Sequence, residues 1–137
     1  MISRIIFTII ISSLFFSAIG QTKKNCEVLD ALLKYDEARK VFFFDKHKDL
    51  PITFIDVNII FNDCAFNDYY GRKVQIVHDS SYIKAENYSS IMVSSFKKTR
   101  NVCKMSIYYK IRNAFYRIEF KRKNHGIVVS KFSGGYF

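Results

Sequence analysis

The sequence predicts an α+β domain in which one N-terminal helix packs on a curved antiparallel β-meander. Three observations predict it. Apolar residues recur at three- and four-residue spacing early in the chain, the period changes to two after Pro51, and short polar turns separate the later apolar runs. A helix first and strands afterwards, in hairpin order, is the pattern of an antiparallel α+β domain.

The chain starts MISRIIFTIIISSLFFSAIGQ, with Arg4 ahead of an apolar run from Ile5 to Phe16 and small residues at Ser17, Ala18 and Gly20. A cation, a short apolar middle and a small-residue end describe a secretory signal peptide. The run is about a dozen residues, short of the roughly 20 that span a bilayer. Residues 1–20 are therefore expected to be removed after Gly20, and residues 21–137 to form a single exported domain, periplasmic or extracellular, with no transmembrane span.

From Asn25 the pattern is helical. Val28, Leu29, Leu32, Leu33 and Tyr35 form one apolar stripe, Asn25 is placed as N-cap, and Asp30–Lys34 and Asp36–Lys40 are acid-before-base pairs at i,i+4. The helix is expected to end near Lys40. Strands follow at Ile52–Val57, at Ile59–Phe66, at 72–79 after a turn that uses Gly71, and at Ile91–Phe96.

The stretch VCKMSIYYKIRNAFYRIEFKRK, from Val102 to Lys123, reads as a hairpin. Cys103, Met105, Ile107, Tyr109 and Ile111 alternate with polar residues, and so do Tyr116, Ile118 and Phe120, the alternation of half-buried strands. A two-residue turn at Asn113-Ala114 sets Ile111 opposite Tyr116, Lys110 opposite Arg117, Lys104 opposite Lys123 and Ser106 opposite Lys121. Ala is a poor residue for the positive φ such a turn demands. A last strand, Ile127–Phe137, adds Lys131.

Charge is unevenly placed. Residues 21–79 hold nine Lys and Arg against ten Asp and Glu, whereas residues 80–137 hold twelve against two. Cations within a Debye length of about 8 Å act together on a polyanion. The candidate binding residues are Lys104, Tyr108, Lys110, Arg112, Phe115, Arg117, Lys121, Lys123 and Lys131, with the two aromatics interleaved among the cations. The plainer reading is a solvated, aggregation-resistant sheet face. Export disfavours nucleic acid as the partner and favours an acidic protein or an anionic envelope component.

Cys26, Cys64 and Cys103 leave one thiol over, and the expected disulfide is Cys64–Cys103, since both sit in expected strands. Three reduced thiols are the alternative. No cofactor, metal or catalytic residue is expected. His47, His78 and His125 are dispersed, adjacent His78 and Asp79 point to opposite faces of a strand, and Asp45, Asp49, Asp56 and Asp63 lack the glycines and spacing of a calcium loop. Asn87 heads a formal glycosylation sequon.

One helix before a curved meander resembles, in element order, the outline of cystatin-like and NTF2-like domains. The resemblance spans most of residues 21–137 and rests on no motif. No cystatin-type inhibitory signature is visible, nor an Asp–His pair of the kind used by NTF2-like dehydratases. It implies a fold and leaves function to the residues. Two functions are expected: a small exported binding protein, an inhibitor or immunity-type factor, using its basic sheet face, and a carrier or enzyme with a ligand between helix and sheet.

Overall fold

The computed structural model describes residues 25–79 and 90–136. The expected signal peptide and the Asn87 sequon lie outside them. Two short helices, α1 (25–34) and α2 (Asp36–Val41), lie against a six-stranded, mostly antiparallel sheet. The strands are β1 (Ile52–Ile55), β2 (Val74–Val77), β3 (Ser90–Lys98), β4 (Val102–Tyr109), β5 (Ala114–Lys123) and β6 (Gly126–Tyr136), in the spatial order β2-β1-β3-β4-β5-β6.

The apolar stripe forms as expected, with Val28, Leu29, Leu32 and Leu33 buried. So do the ion pairs Asp30–Lys34 at 2.8 Å and Asp36–Lys40 at 3.0 Å. The helix is not continuous, however. Tyr35 adopts an extended conformation (φ −76°, ψ 125°) between α1 and α2, and its ring packs 5.7 Å from Phe132 of β6. Nor does Asn25 cap the helix. It is already helical, and its amide Nδ2 donates to the Ile60 carbonyl.

The sheet departs from a pure meander at one end. β3 to β6 are antiparallel neighbours, but β1 pairs in parallel with both β2 and β3. All four residues of β1 are buried, as a central parallel strand requires. Thr53, the polar one, accepts a hydrogen bond from Gln75 Nε2 at 2.8 Å. The expected strand at Ile59–Phe66 is a series of turns. Asp56 causes this. Its carboxylate, wholly buried, accepts the Ile60 N–H at 3.0 Å and the Phe61 N–H at 2.8 Å, and Ile59 and Asp63 take positive φ. A backbone bonded to a side chain in this way cannot enter a ladder.

The expected disulfide is also corrected. Cys26 bonds to Cys64, with the Cα atoms 5.5 Å apart, and Cys103 is a buried free thiol. The turns after Asp56 carry Cys64 back to α1, whereas Cys103 faces inward from β4 among core residues.

Arg72 closes the opposite end. It follows the tight Tyr70-Gly71 turn, where both residues have positive φ, and is 3% exposed. Its guanidinium donates to four main-chain carbonyls: Leu50 (2.8 Å), Phe43 (3.0 Å), Phe44 (3.3 Å) and Pro51 (3.0 Å). Burial pulls its pKa below the ordinary arginine value. These bonds fasten residues 43–51, which have no ladder of their own, to the entrance of β1.

Two predictions follow from this packing. Arg72→Met strands buried carbonyls, each costing about 1–3 kcal/mol when unmade, so urea unfolding should lose roughly 3 kcal/mol or more, with Arg72→Lys intermediate. Peptide mapping without reductant should recover Cys26 linked to Cys64, and Cys103 should react with iodoacetamide only after unfolding. Reducing a loop with a sequence separation of 38 should cost about 4 kcal/mol in the chain-entropy model.

Candidate functional site

The antiparallel β3–β6 sheet has two unlike faces. Inward, Ile91, Val93, Cys103, Met105, Ile107, Tyr109, Ala114, Tyr116, Ile118 and Phe120 are buried under the helices and the 42–44 segment. Phe42 joins the layers, with its ring 5.1 Å from Tyr109, 5.1 Å from Tyr116 and 6.2 Å from Phe132, all edge-on. Edge-to-face contacts of this kind add to simple burial.

The β4–β5 hairpin keeps the expected faces but not the expected register. Its turn is a 3-10 turn, Lys110–Arg112, followed by Asn113 at φ 45°. Tyr109 therefore stands opposite Ala114, Ile107 opposite Tyr116 and Met105 opposite Ile118. Asn tolerates the left-handed conformation that Ala resists. The Asn113 side chain is further held by the Tyr108 hydroxyl, which donates to Oδ1 at 3.0 Å. The longer turn displaces Ile111, expected inside, which is 45% exposed. It also replaces the expected opposition of Lys104 to Lys123, of Lys110 to Arg117 and of Ser106 to Lys121. Lys104 faces Glu119, and Ser106 faces Arg117.

On the outer face the side chains fall into rows. One row runs Lys97, Lys104, Glu119, Lys131 across four strands. The next holds Ser95, Ser106, Arg117 and Ser133, and a third Met92, Tyr108, Phe115 and Gly135. The Tyr108 and Phe115 rings lie 5.1 Å apart. Lys121 and Lys123 continue the outer set toward the far end of β5, while Arg122 turns the other way, 3.7 Å from Glu27. Of the residues singled out in the sequence, Lys104, Tyr108, Phe115, Arg117, Lys121, Lys123 and Lys131 thus share this face. Lys110 and Arg112 do not. They sit in the turn, and the Arg112 guanidinium lies 4.8 Å over the Phe43 ring.

Among the described residues, two grooves lie on the outer face. One, of about 350 Å³, is lined by Lys104, Ser106, Arg117, Glu119, Lys131 and Ser133 together with edges of Met105 and Ile118. The other, of about 320 Å³, is lined by Phe115, Arg117, Ser133, Gly134, Gly135 and Tyr136. Arg117 and Ser133 border both. The arrangement offers cations, hydroxyls and an aromatic rim to an anionic ligand. Among the described residues no three His, Cys, Asp or Glu side chains are grouped to hold a metal, and no helix is long and apolar enough to cross a membrane.

One pair escaped the sequence reading. His78 Nδ1 lies 2.8 Å from the Asp56 carbonyl and 3.6 Å from its carboxylate. Parallel pairing of Ile55 with Val77 sets the residues after β1 and β2 side by side, and strand alternation alone carries no sign of that. Both carboxylate oxygens already accept main-chain N–H groups, which gives Asp56 a structural task.

The chain matches no family model, and comparisons with curated proteins and with solved structures give no match. The cystatin-like and NTF2-like outline accordingly gains no support from a neighbour.

The inner face makes an alkaline prediction. Burial raises the pKa of Tyr109 and of Tyr116 above the ordinary phenol value of 10.0, and burial raises Cys103 above 9.0. The unfolded chain loses these protons first. The contribution of these three groups to stability should therefore be constant below about pH 9 and fall as pH rises beyond it. The last part of the tyrosinate absorbance at 295 nm, that of the buried pair, should rise together with the loss of far-UV circular dichroism. Tyrosine ionisation completed ahead of unfolding would contradict the packing.

Proposed function

We propose that this chain is a small exported, non-enzymatic binding protein whose basic outer sheet face meets an acidic partner, as an inhibitor or immunity-type factor does. One observation carries the reading: Arg117 borders both outer-face grooves, with Lys104 and Lys131 lining one and Phe115 and Tyr136 the other. Among the described residues six cations share the face, Lys97, Lys104, Arg117, Lys121, Lys123 and Lys131, against the single acid Glu119. Such a field steers an acidic protein and orients it on arrival. Export rests on residues 1–20 and fits a disulfide between Cys26 and Cys64.

The alternative, a ligand held between helix and sheet, finds that space occupied. Leu29, Leu32, Leu33, Phe42, Phe44 and Phe61 are all buried there in one core with the sheet. A pocket would have to displace them, and each large side chain removed costs several kcal/mol, about 2–5.

The test compares two triple variants of equal charge change on immobilised poly-L-glutamate. Lys104→Glu/Arg117→Glu/Lys131→Glu should weaken binding about tenfold or more, and the wild type should release steeply with salt. Lys46→Glu/Lys48→Glu/Lys73→Glu, on exposed residues elsewhere, should bind nearly as the wild type does. Equal losses in the two variants would assign binding to net charge and remove the face.

A further inference from the structure

We propose that the outer edge of β6, from Lys131 to Tyr136, accepts an extended acidic segment of the partner protein as an added strand. The inference rests on the basic-face reading and specifies how the partner is held. β6 ends the strand order and is the longest strand, at 11 residues. Among the described residues no strand pairs with its outer edge. An edge of that kind presents a row of unpaired N–H and C=O groups, and proteins usually blunt it with short length, charge, Pro or bulges. The opposite edge, β2, has only four residues. β6 has one bulge, opposite the Glu119/Phe120 step, and beyond it Lys131 to Tyr136 run in unbroken register with β5.

The two glycines of this segment differ in a telling way. A Cβ on Gly134 would lie 2.4 Å from the Tyr116 ring, so packing demands glycine there. A Cβ on Gly135 would meet nothing within 4 Å, and its φ lies outside the left-handed range. Neither packing nor backbone explains that glycine. It does leave the groove open beside Phe115, which stands opposite Gly135. A side chain on an added strand next to Gly135 can lean across it onto Phe115, the way aromatics cover edge glycines.

Ser133 plays the same part for Arg117, which stands opposite it. An added strand would run about 4.8 Å from β6 and so roughly 10 Å from β5, a gap that an arginine and a glutamate close together when only a serine lies between. The partner segment is thereby defined. Running antiparallel, it places an aromatic beside Gly135, a carboxylate beside Ser133 and another beside Lys131. Charge argues against a second copy of this chain in that place: β6 carries a lysine and no acid, and the chain's formal net charge is +10.

The experiment uses the disulfide-bonded exported chain, 15N-labelled, and the peptide acetyl-Thr-Phe-Thr-Glu-Thr-Glu-Thr-amide. A second peptide has the same sequence with alternate amides N-methylated on the pairing edge. With the first, the amides of Lys131–Tyr136 that point away from β5 should exchange about tenfold more slowly or better. The N-methylated peptide should give no such protection, and Gly135→Val should abolish it for the first peptide. Binding of both peptides without protection of β6 would overturn the edge and leave the basic face standing, as would poly-L-glutamate binding with no peptide binding. Loss of all three interactions would remove both readings. Protection without peptide, with a dimer in sedimentation, would assign the edge to a second copy and contradict the proposal.

Discussion

The contact on which the arrangement turns is the ring of Phe42. It lies just past α2, outside regular structure, yet it meets aromatic side chains from β4, β5 and β6 at once. Tyr109, Tyr116 and Phe132 can all reach it only if each strand presents that residue inward. Alternation then fixes the outward residues, because neighbouring side chains on a strand take opposite faces. The cationic face is in this sense the reverse side of an aromatic core.

Phe42 is useful only if its backbone is held, and residues 42–51 contain no strand. Phe43 takes φ 54° and His47 φ 53°, conformations that cost roughly 1–2 kcal/mol for an L-residue. The compensation comes from two arginines far apart in sequence. Arg72 binds the carbonyls of Phe43 and Phe44, and Arg112 covers the Phe43 ring. Basic residues near the end of β4 and before β2 thus serve the fold and are not spare cations. A positive count by itself does not distinguish a binding residue from a clamp.

That distinction marks how far the sequence could be read. The inward set of β4 and β5 was legible because period-two alternation is a strong signal, and it survived the wrong register. The register changed by an even number of residues, so every face stayed the same while every partner changed. The turn was illegible in detail because its geometry depends on Asn113 and on a hydroxyl from Tyr108. Ile111 was misplaced for the same reason. The run Ile59–Phe66 looks like a strand in composition, but a buried carboxylate five residues upstream of Phe61 claims its backbone first. The expected Cys64–Cys103 bond does not form because that turn, not a strand, decides where Cys64 goes. Of the candidate residues, those within strands share one face of the sheet, and Lys110 and Arg112, in the hairpin turn, lie off it.

The outer face therefore depends on which strand residues are neighbours. Cross-strand nuclear Overhauser contacts along the β4–β5 hairpin measure this directly. Backbone protons of Lys104 should meet those of Glu119, and those of Ser106 should meet those of Arg117. Contacts that join Lys104 to Lys123 and Ser106 to Lys121 would contradict the rows of the outer face. Contacts that join Ser106 to Ile118 would turn the aromatic core and the cations onto each other's sides, and would end the argument for a basic binding face.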